Sequence, residues 1–301
     1  MMNMTKYLAL LLLLTVGLQG LAQQSSRKFI SYNVLHGLNG DSALTDRFVD
    51  WVKQEDPDII AYQELNGYDE EALEKLAARY KHPYVAINTG VTHPIALSSK
   101  FPIVLVHKKT TNFWHSYLYA NIDGIHVFVT HLSPFDVQSR RNDMDVILAH
   151  ARLLPRDEPV IIAGDLNAVA ASDSAMYGED LLKRMLKSEG RLEPKSGLPI
   201  VKGKTIYRHN LNNGRIDYTV TDKLIAAGFQ DSYTLKNSGF SNSVPTKGHA
   251  SKNSVLRRID YIWVNEAMAG LLTEATIIKT SDTDNLSDHY PVQIQYQHVR
   301  K

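Results

Sequence analysis

Apolar positions fall along this chain in two rhythms: short runs of β-branched residues, and stretches where apolar residues recur every three or four positions. Residues 28–34 carry Phe29, Ile30, Tyr32 and Val34 and predict a strand that Gly37 stops. Leu44, Phe48, Trp51 and Val52 recur at helical spacing, which predicts an amphipathic helix over 43–54 closing at Asp56-Pro57. Residues 58–64 form a second short apolar run, Ile59 to Tyr62, with Glu64 at its exit. Leu73, Leu76, Ala77 and Tyr80 predict a second helix before His82-Pro83.

Closely spaced strands follow at 84–87, 95–98, 103–107, 117–122 and 125–131. The Asp123-Gly124 pair is a hairpin turn signal, so the last two of these should be antiparallel neighbours. Met144, Ile147, Leu148 and Ala151 mark a helix over 137–154 that Pro155 ends. Val160 to Ala163 is a continuous apolar run of the kind that is buried on both faces, and it ends abruptly in Gly164-Asp-Leu-Asn167. A helix through Leu181, Leu182, Met185 and Leu186 runs to Gly190. Residues 191–258 are rich in Lys, Asn, Gly and Ser and read as long loops, with a strand and helix inside 218–229 and with Thr221 or Asp222 as helix cap. Strands return at 258–264, 275–279 and 290–296. Many short strands interrupted by helices, without strict βαβ alternation, predict an α/β fold of two mixed sheets packed face to face with helices outside.

Composition changes this picture at its start. Lys6, the apolar stretch Leu8 to Leu18 and the small-x-small triplet Gly20-Leu21-Ala22 read as a signal peptide over residues 1–22. Its apolar run of about 11 residues is short against the roughly 20 that span a bilayer, so no stable membrane anchor is expected. The expected product is exported, periplasmic or extracellular, with residues 23–301 as a single catalytic domain and a monomer. The chain has no cysteine, which excludes disulfides, so a hydrophobic core must supply its stability. Of 33 Lys and Arg only Lys6 lies in the leader, leaving 32 basic residues against 32 acidic. That balance gives no strong nucleic-acid field.

The candidate chemistry sits where apolar runs end: Asn33, Glu64, His131, Asp165 with Asn167, Asp260, and Asp288 with His289. Asp165 and Asn167, two residues apart at a strand end, should project to one side. Taken alone, Gly-Asp-x-Asn is a common turn. One cleft at the common strand ends would collect the whole set, and carboxylate and carboxamide oxygens with His and Asp pairs suit Mg²⁺-assisted attack of water on a phosphate ester.

In order, Ser31-Tyr-Asn33, Gln63-Glu64, Thr130-His131, Gly164-Asp-Leu-Asn167, Arg258-Ile-Asp260-Tyr and Ser287-Asp-His-Tyr-Pro291 resemble the signature of the endonuclease/exonuclease/phosphatase superfamily, the fold of pancreatic-type deoxyribonuclease, over residues 28–296. The resemblance, to a secreted bacterial-type member, implies a four-layer α-β-β-α sandwich with two packed mixed, mostly antiparallel sheets. It also implies Mg²⁺, or Mn²⁺, as cofactor. Glu64 becomes the principal metal ligand with Asn33 beside it, and Asp288 a ligand at a second metal position. Asp165 orients or deprotonates the attacking water. Asn167 holds a phosphate oxygen or that water, and His131 donates to a phosphate oxygen or the leaving group. Asp260 buttresses His289, which contacts the scissile phosphate or acts as base. Arg-Ile-Asp-Tyr occurs twice, and the copy followed by Ile-Trp-Val assigns the role to Asp260, leaving Asp217 structural.

The substrate is less legible. Lys202, Lys204, Arg208, His209 and Arg215 cluster in the loop region, and Arg140 and Arg141 follow His131 on a helix start; a solvated face is the usual reading of such charges. As a substrate rim, Arg140 is best placed, and His93 and Tyr207 are further pocket candidates. Ala168-Val-Ala-Ala171 stands where an inositol-phosphate phosphatase of this superfamily should carry an aromatic-Arg pair. The expectation is a divalent-metal-dependent phosphodiesterase, with a secreted nuclease or sphingomyelinase-like enzyme as the alternative and a non-catalytic binding member of the fold as the second. Calcineurin-like, serine-hydrolase and zincin motifs are absent.

Overall fold

The computed structural model describes residues 24–198, 200–202, 205–206 and 209–299. The expected leader, Tyr207, Lys204 and Arg208 lie outside these. Two six-stranded sheets form the centre. The first contains β1 (Gln24–Asn33), β2 (Ile59–Gln63), β3 (Tyr84–Asn88) and β4 (Ile95–Ser99). The second contains β5 (Ile103–Lys109), β6 (Ser116–Ile122), β7 (Ile125–His131), β8 (Val160–Asp165), β9 (Gln230–Asp231) and β10 (Asp260–Val264). Two late strands, β11 (Leu272–Ile277) and β12 (Val292–Val299), return to the first sheet. The strand orders are β11-β12-β1-β2-β4-β3 and β9-β10-β8-β7-β6-β5.

Each sheet is antiparallel except at one central pair, β1 with β2 and β7 with β8. Those parallel pairs bring two strand C-termini side by side, Asn33 beside Gln63 and His131 beside Asp165. As expected, β6 and β7 are an antiparallel hairpin, turned through Asp123 and Gly124 at φ 52° and 83°.

Burial on both faces explains the continuous apolar runs. Phe29, Ile59, Ala61 and Leu97 of the first sheet meet Val127, Val129, Ile161, Ala163 and Ile262 of the second between the sheets. Their neighbours Ile30, Tyr32, Ile60 and Tyr62 pack outward on Phe48, Trp51, Leu73 and Leu76 of α1 (Ser42–Glu55) and α2 (Glu70–Ala78). Phe128, Ile162, Tyr261 and Trp263 pack outward on α3 (Val137–Ala151) and α5 (Thr219–Ala226), with α4 (Ser174–Leu186) alongside. The result is the four-layer α-β-β-α sandwich.

Within 191–258, the described residues form α5, β9, a short helix over Ser232–Lys236, a 3-10 turn at Lys247–His249 and two short two-residue ladders, Val201–Lys202 with Thr205–Ile206 and Leu211–Asn212 with Arg215–Ile216. Neither Thr221 nor Asp222 caps α5. Tyr218 is the N-cap without a side-chain bond, and the Thr221 hydroxyl instead donates back to the Tyr218 carbonyl at 2.9 Å.

Candidate active site

The site lies where β1, β2, β7 and β8 end and β10 begins. Asp165 is central: it is paired in register with His131 on one side and Asp260 on the other. Its carboxylate is 1% exposed, and Oδ2 accepts from Asn33 Nδ2 at 3.1 Å and lies 3.5 Å from His131 Nε2 and 3.9 Å from His289 Nε2. Burial, then the negative charge of Asp260, pushes Asp165 up to about 8, while His289 pulls against that shift.

Close approach of β7 and β8 requires Gly164. At φ 142°, a Cβ there would stand 1.9 Å from the Thr130 carbonyl oxygen. Past Asp165 the strand geometry ceases. Asn167 takes φ 46°, so period-two alternation does not set its direction, contrary to the expectation from spacing. Its backbone N–H donates to Asp165 Oδ1 at 2.8 Å and its Nδ2 donates to the Leu132 carbonyl at 3.0 Å. Asn167 therefore fixes the Asp165 carboxylate from behind while binding the end of β7.

Glu64 is held by strain. Leu35, His36, Gly37, Leu38 and Asn39 all have φ between 44° and 65°, a left-handed turn that costs about 1–2 kcal/mol per non-glycine residue. Backbone bonds from Leu38 N–H to the Val34 carbonyl and from Gly37 N–H to the Glu64 carbonyl offset part of this. A Cβ at Gly37 would meet the Asn66 carbonyl oxygen at 2.0 Å, so only glycine fits there. The turn brings His36 N–H and Nδ1 to 3.2 and 3.4 Å from Glu64 Oε2. Oε1 faces the other way, accepting from Asn33 Nδ2 at 3.2 Å and lying 3.9 Å from His131 Nε2.

Asn33 thus presents its amide nitrogen to both carboxylates, and its oxygen accepts from Leu35 N–H at 3.1 Å. As oriented, Asn33 ties Glu64 to Asp165 through its amide nitrogen, and ligation of a cation through its oxygen requires the amide to turn over.

On the other side, His289 Nδ1 bonds Asp260 Oδ2 at 2.8 Å, and Ser243 donates to the same oxygen at 2.6 Å. Ser287 donates to the Asn33 carbonyl at 2.7 Å and accepts from His289 N–H at 3.2 Å, which ties the His289 segment to the end of β1. Burial opposes the charged form of His289, but the charge and hydrogen bond of Asp260 prevail and raise it to about 10. His131 is the reverse case. Burial, then the positive charge of His93, His289 and His36, holds it well below the usual imidazole range, so it is neutral. Its ring lies 4.8 Å from that of His115 and 5.8 Å from that of His93.

Two groups of side chains could converge on a cation: Asp165, Asp260 and His289, all buried, and His36, Glu64 and His93, with ligand atoms within 4.8 Å of one another in each. Asp288 belongs to neither group; it is 36% exposed, with Oδ1 4.0 Å from His289 Nε2. The carboxylates of Glu64, Asp165 and Asp260, the first two bridged by Asn33 and the last with Oδ1 lacking a partner among the described residues, form an oxygen-rich set that fits a hard divalent ion.

Arg140 does not stand on an exposed rim. It is 4% exposed, with Nη1 donating to the Ser133 carbonyl at 2.8 Å and to Asn210 Oδ1 at 2.7 Å, and it lines a cavity wall together with Asn167. Asp217 is buried against Arg141 and accepts from Thr219 at 2.8 Å, outside the site. Sequence reasoning missed His36, His115 and Ser243. Only Gly37 hinted at the turn that carries His36.

A family model described as the endonuclease/exonuclease/phosphatase family matches residues 30–289, spanning every strand end described above. The chain belongs to that family. No curated protein matches it in sequence. Among solved structures, it is similar to an AP endonuclease from Archaeoglobus fulgidus at 15% identity and TM-score 0.66, covering 90% of this chain and 99% of that one. It is also similar to the 3′ phosphatase NExo from Neisseria bound to a product DNA hairpin, at 17% identity and TM-score 0.66 over 90% and 99% of the two chains. An endonuclease/exonuclease/phosphatase from Beutenbergia cavernae aligns at 15% identity and TM-score 0.59, over 91% of this chain and 72% of that one. At these identities the likeness is one of fold.

Proposed function

We propose that the protein is a divalent-metal-dependent phosphodiesterase. Supporting this reading above all is the convergence of Asn33, Glu64, His131, Asp165 and His289 on one point, with Asp165 Oδ2 within 3.9 Å of Asn33 Nδ2 and of both imidazoles. Glu64 would hold Mg²⁺ or Mn²⁺, with Asn33 beside it and Asp288 at a second position. Once bound, the cation would polarise a phosphoryl oxygen and offset the charge that develops there.

The chain's own residues supply the rest. Asp165, aligned through Asn167 N–H, accepts a proton from water as the water oxygen bonds phosphorus. The ester P–O bond breaks and the departing oxygen takes its proton from solvent water, while His289 Nε2, in the charged form that Asp260 sustains, contacts the scissile phosphate. Neutral His131 donates Nε2–H to a phosphoryl oxygen, and Asn167 holds that oxygen or the water in place. The products are an alcohol and a phosphate monoester.

A nuclease is the alternative, because the NExo and AP endonuclease neighbours act on nucleic acid by their names. Formal neutrality of the segment after residue 22 weighs against it. We also place the enzyme as one exported domain, periplasmic or extracellular and monomeric, which N-terminal sequencing of the mature protein at Gln23 and light scattering would test.

The deciding measurement is hydrolysis of bis(4-nitrophenyl) phosphate with Mg²⁺ or Mn²⁺, with and without EDTA, beside His289→Ala. Loss of turnover by orders of magnitude in EDTA and in the variant is expected. Equal rates for wild type and His289→Ala across this ester, phosphomonoesters, DNA, RNA and sphingomyelin would end the enzymatic reading.

A further inference from the structure

Beside Asn167, between the ends of β7 and β8, the approach to β10 and the face of α4, lies a cavity of about 280 Å³ whose wall carries Arg140, Arg184 and Arg257. Among the described residues the single carboxylate in that wall, Asp217, is already engaged by Arg141 and Thr219. Arg140 is buried, and its Nε has no partner among the described residues; neither does the buried Nε of Arg257. No ion pair reaches Arg184 or Arg257 among the described residues. Burial, then the charge of Arg184, lowers the pKa of Arg257, so the two guanidiniums repel one another across the cavity.

The neighbouring Arg258 shows how this fold treats a guanidinium with a structural task. It is 1% exposed, donates from Nε to Asp173 at 2.9 Å and from Nη1 to Asp231, and stacks over Tyr261. A buried charge left unpaired is strongly destabilising, and the chain avoids it one residue away. Three guanidiniums that no ion pair of the described residues reaches, next to a reacting centre, have the chemistry of a phosphate receptor, since the planar fork pairs with two phosphate oxygens at once.

We infer that this cavity is an anion subsite in which Arg140, Arg184 and Arg257 hold a second phosphate group carried by the substrate on the ester side of Asn167. The inference rests on the proposal above that Asn167 stands at the reacting centre. A volume near the lower end of the roughly 300–1,000 Å³ common for ligand pockets admits a phosphorylated group of sugar size. The substrate class is therefore a small phosphoester bearing a further phosphate, and the formal neutrality of the segment after residue 22 is no obstacle, because the positive charge is local.

Two matched esters test this: thymidine 3′-(4-nitrophenyl phosphate) with a 5′-hydroxyl and the same compound with a 5′-phosphate. The expected kcat/KM is at least tenfold higher for the 5′-phosphate, and that ratio falls towards one in Arg257→Gln and in the exposed-helix variant Arg184→Gln, while Arg257→Lys recovers part of it. A ratio near one in wild type, or an unchanged ratio in both Gln variants, overturns the inference. Titration calorimetry with inorganic phosphate in EDTA separates the two proposals. Binding that weakens tenfold in Arg257→Gln and persists in His289→Ala supports the subsite even if neither ester is turned over, in which case the phosphodiesterase reading falls alone. Phosphate binding that Arg257→Gln leaves intact sinks the subsite. Binding lost in Arg257→Gln together with equal turnover of the two esters marks a free-anion site and rejects the substrate assignment.

Discussion

His289 Nδ1 lies 2.8 Å from Asp260 Oδ2, an oxygen that also accepts from Ser243. Because Nδ1 is committed there, the hydrogen on that nitrogen is fixed and Nε2 is left facing Asp165. Asp260 sits on a strand in register with Asp165, whereas His289 arrives from a loop tied down by Ser287. The strand-borne carboxylate therefore sets the orientation of the imidazole. Replacing Asp260 by Asn keeps the shape but removes the charge that raises His289. The expected loss is about 10²–10³ in kcat, within the range of general acid–base catalysis. Kinetics paired with an NMR titration of the imidazole checks it; a fall in kcat with an unchanged His289 titration would contradict this assignment.

Gly164→Ala probes the frame instead of the chemistry. A Cβ at 1.9 Å from the Thr130 carbonyl cannot be accommodated without separating β7 from β8, the pair that aligns His131 with Asp165. A loss of at least about 3 kcal/mol in unfolding free energy is expected from the clash and the φ of 142° together. Chemical denaturation measures it. A change below 1 kcal/mol would mean that the strands separate more readily than their register suggests.

Breaking one partner of the Arg258 cluster should destabilise strongly. Asp231→Asn leaves the buried guanidinium with Asp173 alone, while Arg258→Ala leaves two buried carboxylates facing each other. Losses of about 3–5 kcal/mol are expected for the arginine variant. Activity of the fraction that remains folded should be closer to wild type than stability is, because none of these groups bonds to Asp165, His131 or His289.

The sheets and the ionic strand ends were legible in the sequence because burial on both faces writes itself as continuous apolar runs, and each run here stops at a polar residue. Asp260 was separable from Asp217 because Ile-Trp-Val continues only the second Arg-Ile-Asp-Tyr as a strand. Position along a strand does not report rotamer or backbone sign. Asn33 turns its nitrogen to the site, and Asn167 leaves the strand at positive φ, neither of which residue type decides. His36 was illegible because a left-handed turn through two leucines runs against local preference and is sustained by contacts with the Glu64 segment. Ser243 lies in a stretch without periodicity, and only the fold brings it to Asp260. The arginine cavity combines α3, α4 and the approach to β10, three segments well separated in sequence that only the fold brings together.

Asp143 gives a pH-dependent signature independent of the active site. Its carboxyl is 2% exposed and accepts from Trp114 N–H at 3.2 Å, and burial pushes it up to about 7 against that bond. A carboxyl raised in the folded state binds its proton more tightly there than in the unfolded chain. Its favourable contribution is complete below the unfolded value near 4, declines as pH rises, and is lost by about pH 7. Asp143→Asn retains an acceptor for Trp114 N–H and removes the charge. The variant should match wild type near pH 4 and exceed it by roughly 1–3 kcal/mol at pH 8. Urea denaturation at the two pH values reads this directly, and a gain that is equal at both would show that Asp143 remains ionised at low pH or is hydrated in the folded chain.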